Sequence, residues 1–337
     1  MNFLKMNIIV LGAGAIGSLY GAKLSKLNDV MLVGNKHHVK NIKKNGLKIV
    51  GLENGIYKIK ATTKIKKIDK NTLILLTTKV QDNKKAINNI KNLIKKNTMI
   101  LCLQNGLYSE NIVKDIVGKK CLVLRGVTNF GAIFLKPGII AYKNYGYTVI
   151  EMSANRFAIS VDMSEREHRS ELSHVTAQKS KIFDKSQKSK EIAENFRQCG
   201  LNAYVSYNIK TDMWKKLILN CVLNPLTAIL RVENRGIADE KLNPIKKLII
   251  DECLKVAKKD NITFKFNFVK AINNGIKNSR NISSMQQDLI KGKKTEIDYL
   301  NGAVVEFGKR YGIKCPVNEA FVVIIKEMEK KSMKMFK

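Results

Sequence analysis

The 337-residue chain is predicted to fold as an α/β domain on a parallel sheet followed by an all-α domain, and three patterns predict it. Short β-branched runs alternate with helical segments through the first half, as in a sheet whose parallel strands are joined by crossover helices. A glycine-rich turn, Gly12-Ala13-Gly14-Ala15-Ile16-Gly17, separates the first such run from the first helix. From Asn208 onward strand signals give way to long helical periodicities. The expected domains are therefore residues 1–207, of Rossmann type, and residues 208–337, helical.

Taken in order, Asn7–Leu11 reads as the first strand, Ala15–Leu27 as a helix and Val30–Val33 as the second strand. Further strands are expected at Leu73–Thr77, Met99–Leu103 and Cys121–Thr128, with a helix at Lys84–Lys95. Ile139–Tyr142 and Tyr147–Glu151 are expected to close the domain as a hairpin. Between Ser153 and Lys179 the composition changes: three of the nine Arg and two of the four His fall there, and Lys appears only at its end. This local departure predicts an inserted loop or exposed helix. The second domain is predicted to hold helices at Met213–Leu230, Pro244–Lys258, Phe268–Lys277, Ile297–Tyr311 and Asn318–Lys330, and their largely apolar character suits a homodimer.

A net charge of +33 invites a nucleic-acid reading, because Lys and Arg supply most non-specific affinity for phosphate backbones. Yet 52 of the 61 basic residues are Lys, spread along the whole chain beside 33 Asn, which is the mark of a compositional bias rather than a binding stripe. No zinc-finger spacing, RNA-binding aromatic motif or helix-turn-helix signature accompanies the charge, so no specific nucleic acid is expected. The broad positive field favours anionic small molecules. No apolar run approaches the ~18 residues of a membrane span, and the N-terminal run is too short for a secretory signal, so a cytoplasmic protein is expected. The six Cys are scattered without a Cys-x-x-Cys pair, which favours reduced thiols over disulfides or a metal site.

The glycine turn carries the first chemistry. Placed between strand and helix, Gly12, Gly14 and Gly17 provide a tight turn, close approach of backbone to a pyrophosphate and close packing of helix on strand, while Ala13, Ala15 and Ile16 complete the cradle. The end of strand two bears on which dinucleotide binds. A site for NAD places Asp or Glu here to accept from the ribose 2′-hydroxyl, whereas this chain has Gly34-Asn35-Lys36-His37-His38. NADPH/NADP is therefore the expected cofactor, with Asn35 and Lys36 as candidate contacts.

Lys216, Asn220 and Asn224 recur at a spacing of four, which stacks one amine and two amides along one face of a helix. On composition alone they would be an exposed polar stripe in a Lys- and Asn-rich protein, but the other faces are almost wholly apolar. Pro225 removes a backbone N–H where the helix would otherwise continue, freeing a carbonyl and favouring a kink. An amine so placed can protonate a developing alkoxide while amides orient hydroxyl or carboxylate oxygens.

The glycine turn, Leu103-Gln104-Asn105-Gly106, the segment Trp214–Ala228, and Asn281-Ile282-Ser283-Ser284-Met285 followed by Thr295-Glu296-Ile297-Asp298-Tyr299 together resemble the ketopantoate reductase (2-dehydropantoate 2-reductase) family. The resemblance covers the chain except the segment 153–179. It implies NADPH-dependent reduction of 2-dehydropantoate to (R)-pantoate, a step toward pantothenate and coenzyme A. It also implies a role for each matching residue. Lys216 falls on the family's proton donor, and Asn220, Asn224 and Asn234 on its substrate-binding asparagines. Ser284 falls on a substrate contact with Asn281 nearby, and Lys79, Asn105, Ala132 and Glu296 fall on cofactor contacts. The chain departs from the family at Asn35, where an Arg is often found. Two other readings remain open: a reductase of a different 2-oxo acid on the same scaffold, and a non-catalytic nucleotide-sensing or nucleic-acid-binding protein.

Overall fold

The structure is a computed structural model that describes residues 5–152 and 186–335; the expected insertion at 153–179 lies outside the described residues. The chain divides into two compact units, one of Met1–Gln104 with Glu110–Ile209 and one of Asn105–Ser109 with Lys210–Lys337.

The strands of the first unit are β1 (Asn7–Leu11), β2 (Asp29–Val33), β3 (Leu47–Gly51), β4 (Gly55–Tyr57), β5 (Lys60–Thr62), β6 (Thr72–Leu76), β7 (Met99–Cys102), β8 (Leu122–Thr128), β9 (Gly131–Lys136), β10 (Ile139–Asn144), β11 (Thr148–Glu151) and β12 (Ala203–Ser206). Its helices are α1 (Ala15–Leu24), α2 (Lys36–Asn45), α3 (Asn83–Asn88), α4 (Ser109–Val117) and α5, residues 186–198. Eight strands form one sheet in the order β12-β11-β8-β7-β6-β1-β2-β5, and β4-β3-β10-β9 form a second. The run from β5 to β8 is parallel throughout, while β11 lies antiparallel to β8.

Strand periodicity explains why the central strands read as continuous apolar runs. Along β1, Ile8 and Val10 join the cluster that includes Leu19 and Tyr20 of α1 and Phe196 of α5, whereas Ile9 and Leu11 join Ile87 of α3 and Val113 of α4 on the opposite face. A strand buried on both faces has no polar side.

The predicted closing hairpin is corrected. Ile139–Asn144 and Thr148–Glu151 are both strands, but β10 pairs with β9 and β3 in the small sheet, whereas β11 pairs with β8 and β12 in the large one. The helix expected at Lys84–Lys95 ends at Asn88 and continues as turns closed by Ile90 N–H to Ile87 O and Leu93 N–H to Ile90 O, at 3.0 and 2.8 Å. The first helix likewise stops at Leu24 rather than Leu27.

The second unit holds α6 (Ile209–Leu230), α7 (Asn243–Lys259), α8 (Phe268–Ile276), α9 (Ser284–Ile290), α10 (Asn301–Arg310) and α11 (Pro316–Met335). The helix predicted over Ile297–Tyr311 is two elements, a 3₁₀ turn at Ile297–Tyr299 and α10. Pro225 does not end α6, which runs through it to Leu230. The carbonyl that Pro225 leaves without its helical donor is that of Cys221, and it accepts from Asn301 Nδ2 at 3.0 Å. No described helix is long and apolar enough to cross a membrane, and all six cysteines are free.

Candidate active site

In the first unit the chain leaves β1 through Gly12, whose φ of +114° and whose Cβ position, 2.5 Å from Thr78 N, admit only glycine. The Gly12 and Ala13 N–H groups donate to Val33 O at 3.1 and 2.8 Å, pinning the turn to the end of β2. A Cβ on Gly17 would lie 2.4 Å from Gly12 O, so this glycine lets α1 pack against the turn and the strand ends. Gly14 is different. Its Cβ would meet nothing nearer than Gly12 O at 4.0 Å, so its bare backbone faces open space at the start of α1. No side chain among the described residues caps α1, its first turn holds no acid, and the N–H groups of Ala15, Ile16 and Gly17 precede any intrahelical acceptor. That cradle fits a dinucleotide pyrophosphate.

At the end of β2, Asn35 is the N-cap of α2, its side chain accepting from His38 N–H at 2.9 Å. Its side-chain oxygen is thereby used by the helix, and both Asn35 and Lys36, the first residue of α2, are exposed. A cation in a helix's first turn opposes the dipole, and α2 carries no acid there, so the arrangement suits an added anion. Behind it His38 is wholly buried: Nδ1 accepts from Gly138 N–H at 2.9 Å, which leaves the proton on Nε2, 3.0 Å from Ser18 Oγ. Burial lowers its pKa from 6.5 to about 4, so a neutral imidazole ties α1, α2 and the β9–β10 turn together. Lys79 is half-buried just past β6 and caps a 3₁₀ turn through its carbonyl, which accepts from Asp82 N–H at 3.0 Å. Ala132 lies on β9, opposite Tyr142 of β10.

The second unit carries most of the remaining candidates. Lys216, Asn220 and Asn224 rise along one face of α6 in steps of roughly 6 Å. Lys216 and Asn220 are half-buried, and Asn224 is only 5% exposed. One residue turn further, Thr227 Oγ1 donates to Ser283 Oγ at 2.7 Å, joining α6 to the Asn281–Met285 motif. Asn234 N–H donates to Asn281 O at 2.8 Å, and Asn234 Oδ1 is a buried acceptor with no hydrogen-bond partner among the described residues. Such an atom is costly unless something supplies a donor. Ser283, not Ser284, caps α9, accepting from Gln286 N–H at 3.2 Å and leaving Ser284 exposed. Asn105 Nδ2 donates to Glu296 Oε2 at 2.9 Å, so two candidate cofactor contacts from distant motifs meet directly.

Thr227, His38 and Asp260 are not marked as site residues by the sequence. Thr227 lies three residues beyond Asn224 on the same helix, a spacing that signals it. His38 was legible only as one of two adjacent imidazoles. Asp260, which accepts from Trp214 Nε1 at 2.8 Å, gave no signal, because nothing in its local sequence points to a distant indole.

A family model described as "Ketopantoate reductase PanE/ApbA" matches residues 8–155, and one described as "Ketopantoate reductase PanE/ApbA C terminal" matches residues 208–329. The 2-dehydropantoate 2-reductase of Pyrococcus horikoshii is 33% identical over 330 residues, covering 96% of this chain and 98% of that protein. The enzyme of the same name from Lactococcus lactis is 30% identical, covering 96% and 98%. Among solved structures, a PanE/ApbA family ketopantoate reductase from Ralstonia eutropha superposes with a TM-score of 0.81 at 25% identity, covering 97% of this chain and 99% of that one. A D-mandelate dehydrogenase with NADH and anilino(oxo)acetate superposes at 0.82 with 28% identity and the same coverage.

Proposed function

The chain belongs to the ketopantoate reductase family, and from that premise we propose that it reduces 2-dehydropantoate to (R)-pantoate with NADPH. Relatives across several species bear the name of this oxidoreductase, and a nicotinamide cofactor goes with it. The single observation that supports the assignment to this chain's residues is the face of α6 on which Lys216, Asn220 and Asn224 recur at a spacing of four.

Gly12–Gly17 and the first turn of α1 would hold the pyrophosphate, Asn35 and Lys36 the 2′-phosphate, and Lys79, Asn105, Ala132 and Glu296 the rest of the dinucleotide. The reduced nicotinamide, when bound, supplies the hydride for the ketone carbon. Lys216 delivers a proton from Nζ to the carbonyl oxygen as charge develops there. Asn220 and Asn224 orient the substrate's oxygens, and the unpartnered Asn234 Oδ1 accepts from a substrate hydroxyl. Ser284 Oγ, exposed at the first position of α9, donates to the carboxylate, with Asn281 fixing the preceding backbone.

The test is NADPH oxidation by the purified chain with 2-dehydropantoate. A panel of other 2-oxo acids belongs in the same assay, because a relative of the same fold is a D-mandelate dehydrogenase. Highest kcat/KM with 2-dehydropantoate supports the assignment; a larger value with an aromatic 2-oxo acid replaces it with the second reading.

A further inference from the structure

We propose that Asp260 is a positioning residue for this reaction, a single carboxylate that sets both the part of α6 carrying Lys216 and the turn carrying Asn105. The inference rests on the roles proposed above for Lys216 and Asn105. Asp260 sits at the C-terminus of α7, where its N–H closes the helix onto Ala257 O at 3.0 Å, and its side chain is only 11% exposed. Three donors converge on it. Trp214 Nε1 donates to Oδ2 at 2.8 Å, Tyr108 Oη donates to the same oxygen, and Lys210 Nζ lies 3.4 Å from Oδ1.

Two of those donors come from the proposed machinery's own segments. Trp214 is fully buried on α6, two residues before Lys216, so holding its indole edge fixes the rotation of the helix about its axis at that point. Rotation is what aims Lys216, because one residue of α-helix is ~100°. Tyr108 belongs to the Asn105–Ser109 segment, which leaves the first unit's chain path to pack with the second unit.

That segment is conformationally strained in a way that needs an anchor. Gly106 has φ +81° and approaches so closely that a Cβ would lie 2.5 Å from Tyr299 O. Tyr108 has φ +55°, a region that a bulky L-residue occupies only when its surroundings impose it. The imposing groups are Asp260 at the hydroxyl, Phe307 against the ring at 5.3 Å between centroids and Lys210 above it at 5.8 Å. With Tyr108 held, Asn105 is presented to Glu296 at 2.9 Å.

Packing alone does not call for this carboxylate. Trp214 and Tyr108 could bury their rings against apolar neighbours, and a desolvated carboxylate is costly unless its donors are well placed. What an anion adds is direction: two N–H and O–H vectors from separate segments are locked to one point.

The test uses the full chain and four variants, Asp260→Asn, Asp260→Glu, Tyr108→Phe and Trp214→Phe, with NADPH affinity read from the cofactor's own fluorescence and kcat from its oxidation. Loss of one hydrogen bond to a charged group predicts that Tyr108→Phe weakens NADPH about tenfold with kcat nearly kept. Trp214→Phe should lower kcat about tenfold with NADPH affinity nearly kept, by the same reasoning. Asp260→Asn should show both effects and alter the emission of Trp214, the chain's only tryptophan, while Asp260→Glu restores much of each.

A purely structural role would move the thermal midpoint and leave both constants of the folded protein unchanged. That outcome, or identical shifts of affinity and kcat in Tyr108→Phe and Trp214→Phe, overturns the proposal. Should Asp260→Asn fail to fold, the two aromatic variants decide. If the natural protein turns over no 2-oxo acid, the proposed function fails by itself, and unweakened NADPH binding by Tyr108→Phe still refutes the positioning of Asn105.

Discussion

At the scale of single residues, the three glycines of the first turn do three different jobs, and the differences are measurable. Gly17→Ala puts a Cβ 2.4 Å from Gly12 O, so we expect a lowered thermal midpoint. Gly14→Ala adds a methyl facing open space, so the midpoint should hold while NADPH binding weakens, read by the cofactor's fluorescence. Equal loss of stability in the two variants would contradict this division of roles. Lys216→Ala should bind NADPH almost normally yet lose roughly 10²- to 10⁴-fold in turnover, the usual contribution of a positioned general acid. Near-normal turnover would remove Lys216 from that role. Much of this was readable from sequence, because a glycine turn and an amine–amide–amide face are local patterns. Asn35 was half readable: its place after strand two is a matter of sequence, but its use as the cap of α2 depends on where that helix starts. Asp260 is not readable at all, since its donors lie 46, 50 and 152 residues away.

Elements were legible where burial is two-sided and ambiguous where pairing is long-range. β1, β6 and β7 are legible to within a residue because their apolar runs are bounded by turns. β10 and β11 are also legible as strands, but strand patterning does not name a partner, and the hairpin expected of these chain neighbours joins strands that belong to different sheets. The short strands β4 and β5, three residues each, carry too little pattern to be seen. Pro225 illustrates an element whose exception is repaired from elsewhere. Because Asn301 Nδ2 serves the Cys221 carbonyl that Pro225 leaves open, Asn301→Ala should cost about 1–3 kcal/mol of stability. In a Pro225→Ala background the restored N–H takes over that carbonyl, so the same change should cost less; a denaturant double-mutant cycle with no coupling would sink the argument. His38 makes α2 sensitive to pH in a defined direction. Its folded value of about 4 lies below the ordinary 6.5, so between these values the unfolded chain binds a proton that the folded chain excludes. The stability it contributes is complete above about pH 6.5 and is lost as pH falls toward 4. Unfolding titrations should show this slope diminished in His38→Gln, and an unchanged slope would place the sensitivity elsewhere.

Across the whole molecule, charge and site chemistry act on the cofactor over different distances, and they can be separated. A net charge of +33 draws any anionic dinucleotide, and salt weakens that attraction once charges are more than about 8–10 Å apart. The preference proposed for NADPH over NADH rests on local features: β2 ends without a carboxylate, and Asn35 and Lys36 follow it as the N-cap and first residue of α2. The fold itself does not dictate the choice, since a relative of the same architecture carries NADH. We therefore expect kcat/KM to be higher with NADPH than with NADH and to fall with added salt for both, more steeply for NADPH because of its extra phosphate. Lys36→Glu changes the net charge by only two units of 33, so the salt dependence with NADH should barely move. The NADPH-to-NADH ratio should nevertheless collapse by about tenfold or more, because attraction at the 2′-phosphate becomes repulsion. Steady-state kinetics over a salt series for both proteins decide it. Equal efficiencies in the natural protein would refute the preference, and an unchanged ratio in the variant would move the phosphate contact away from α2.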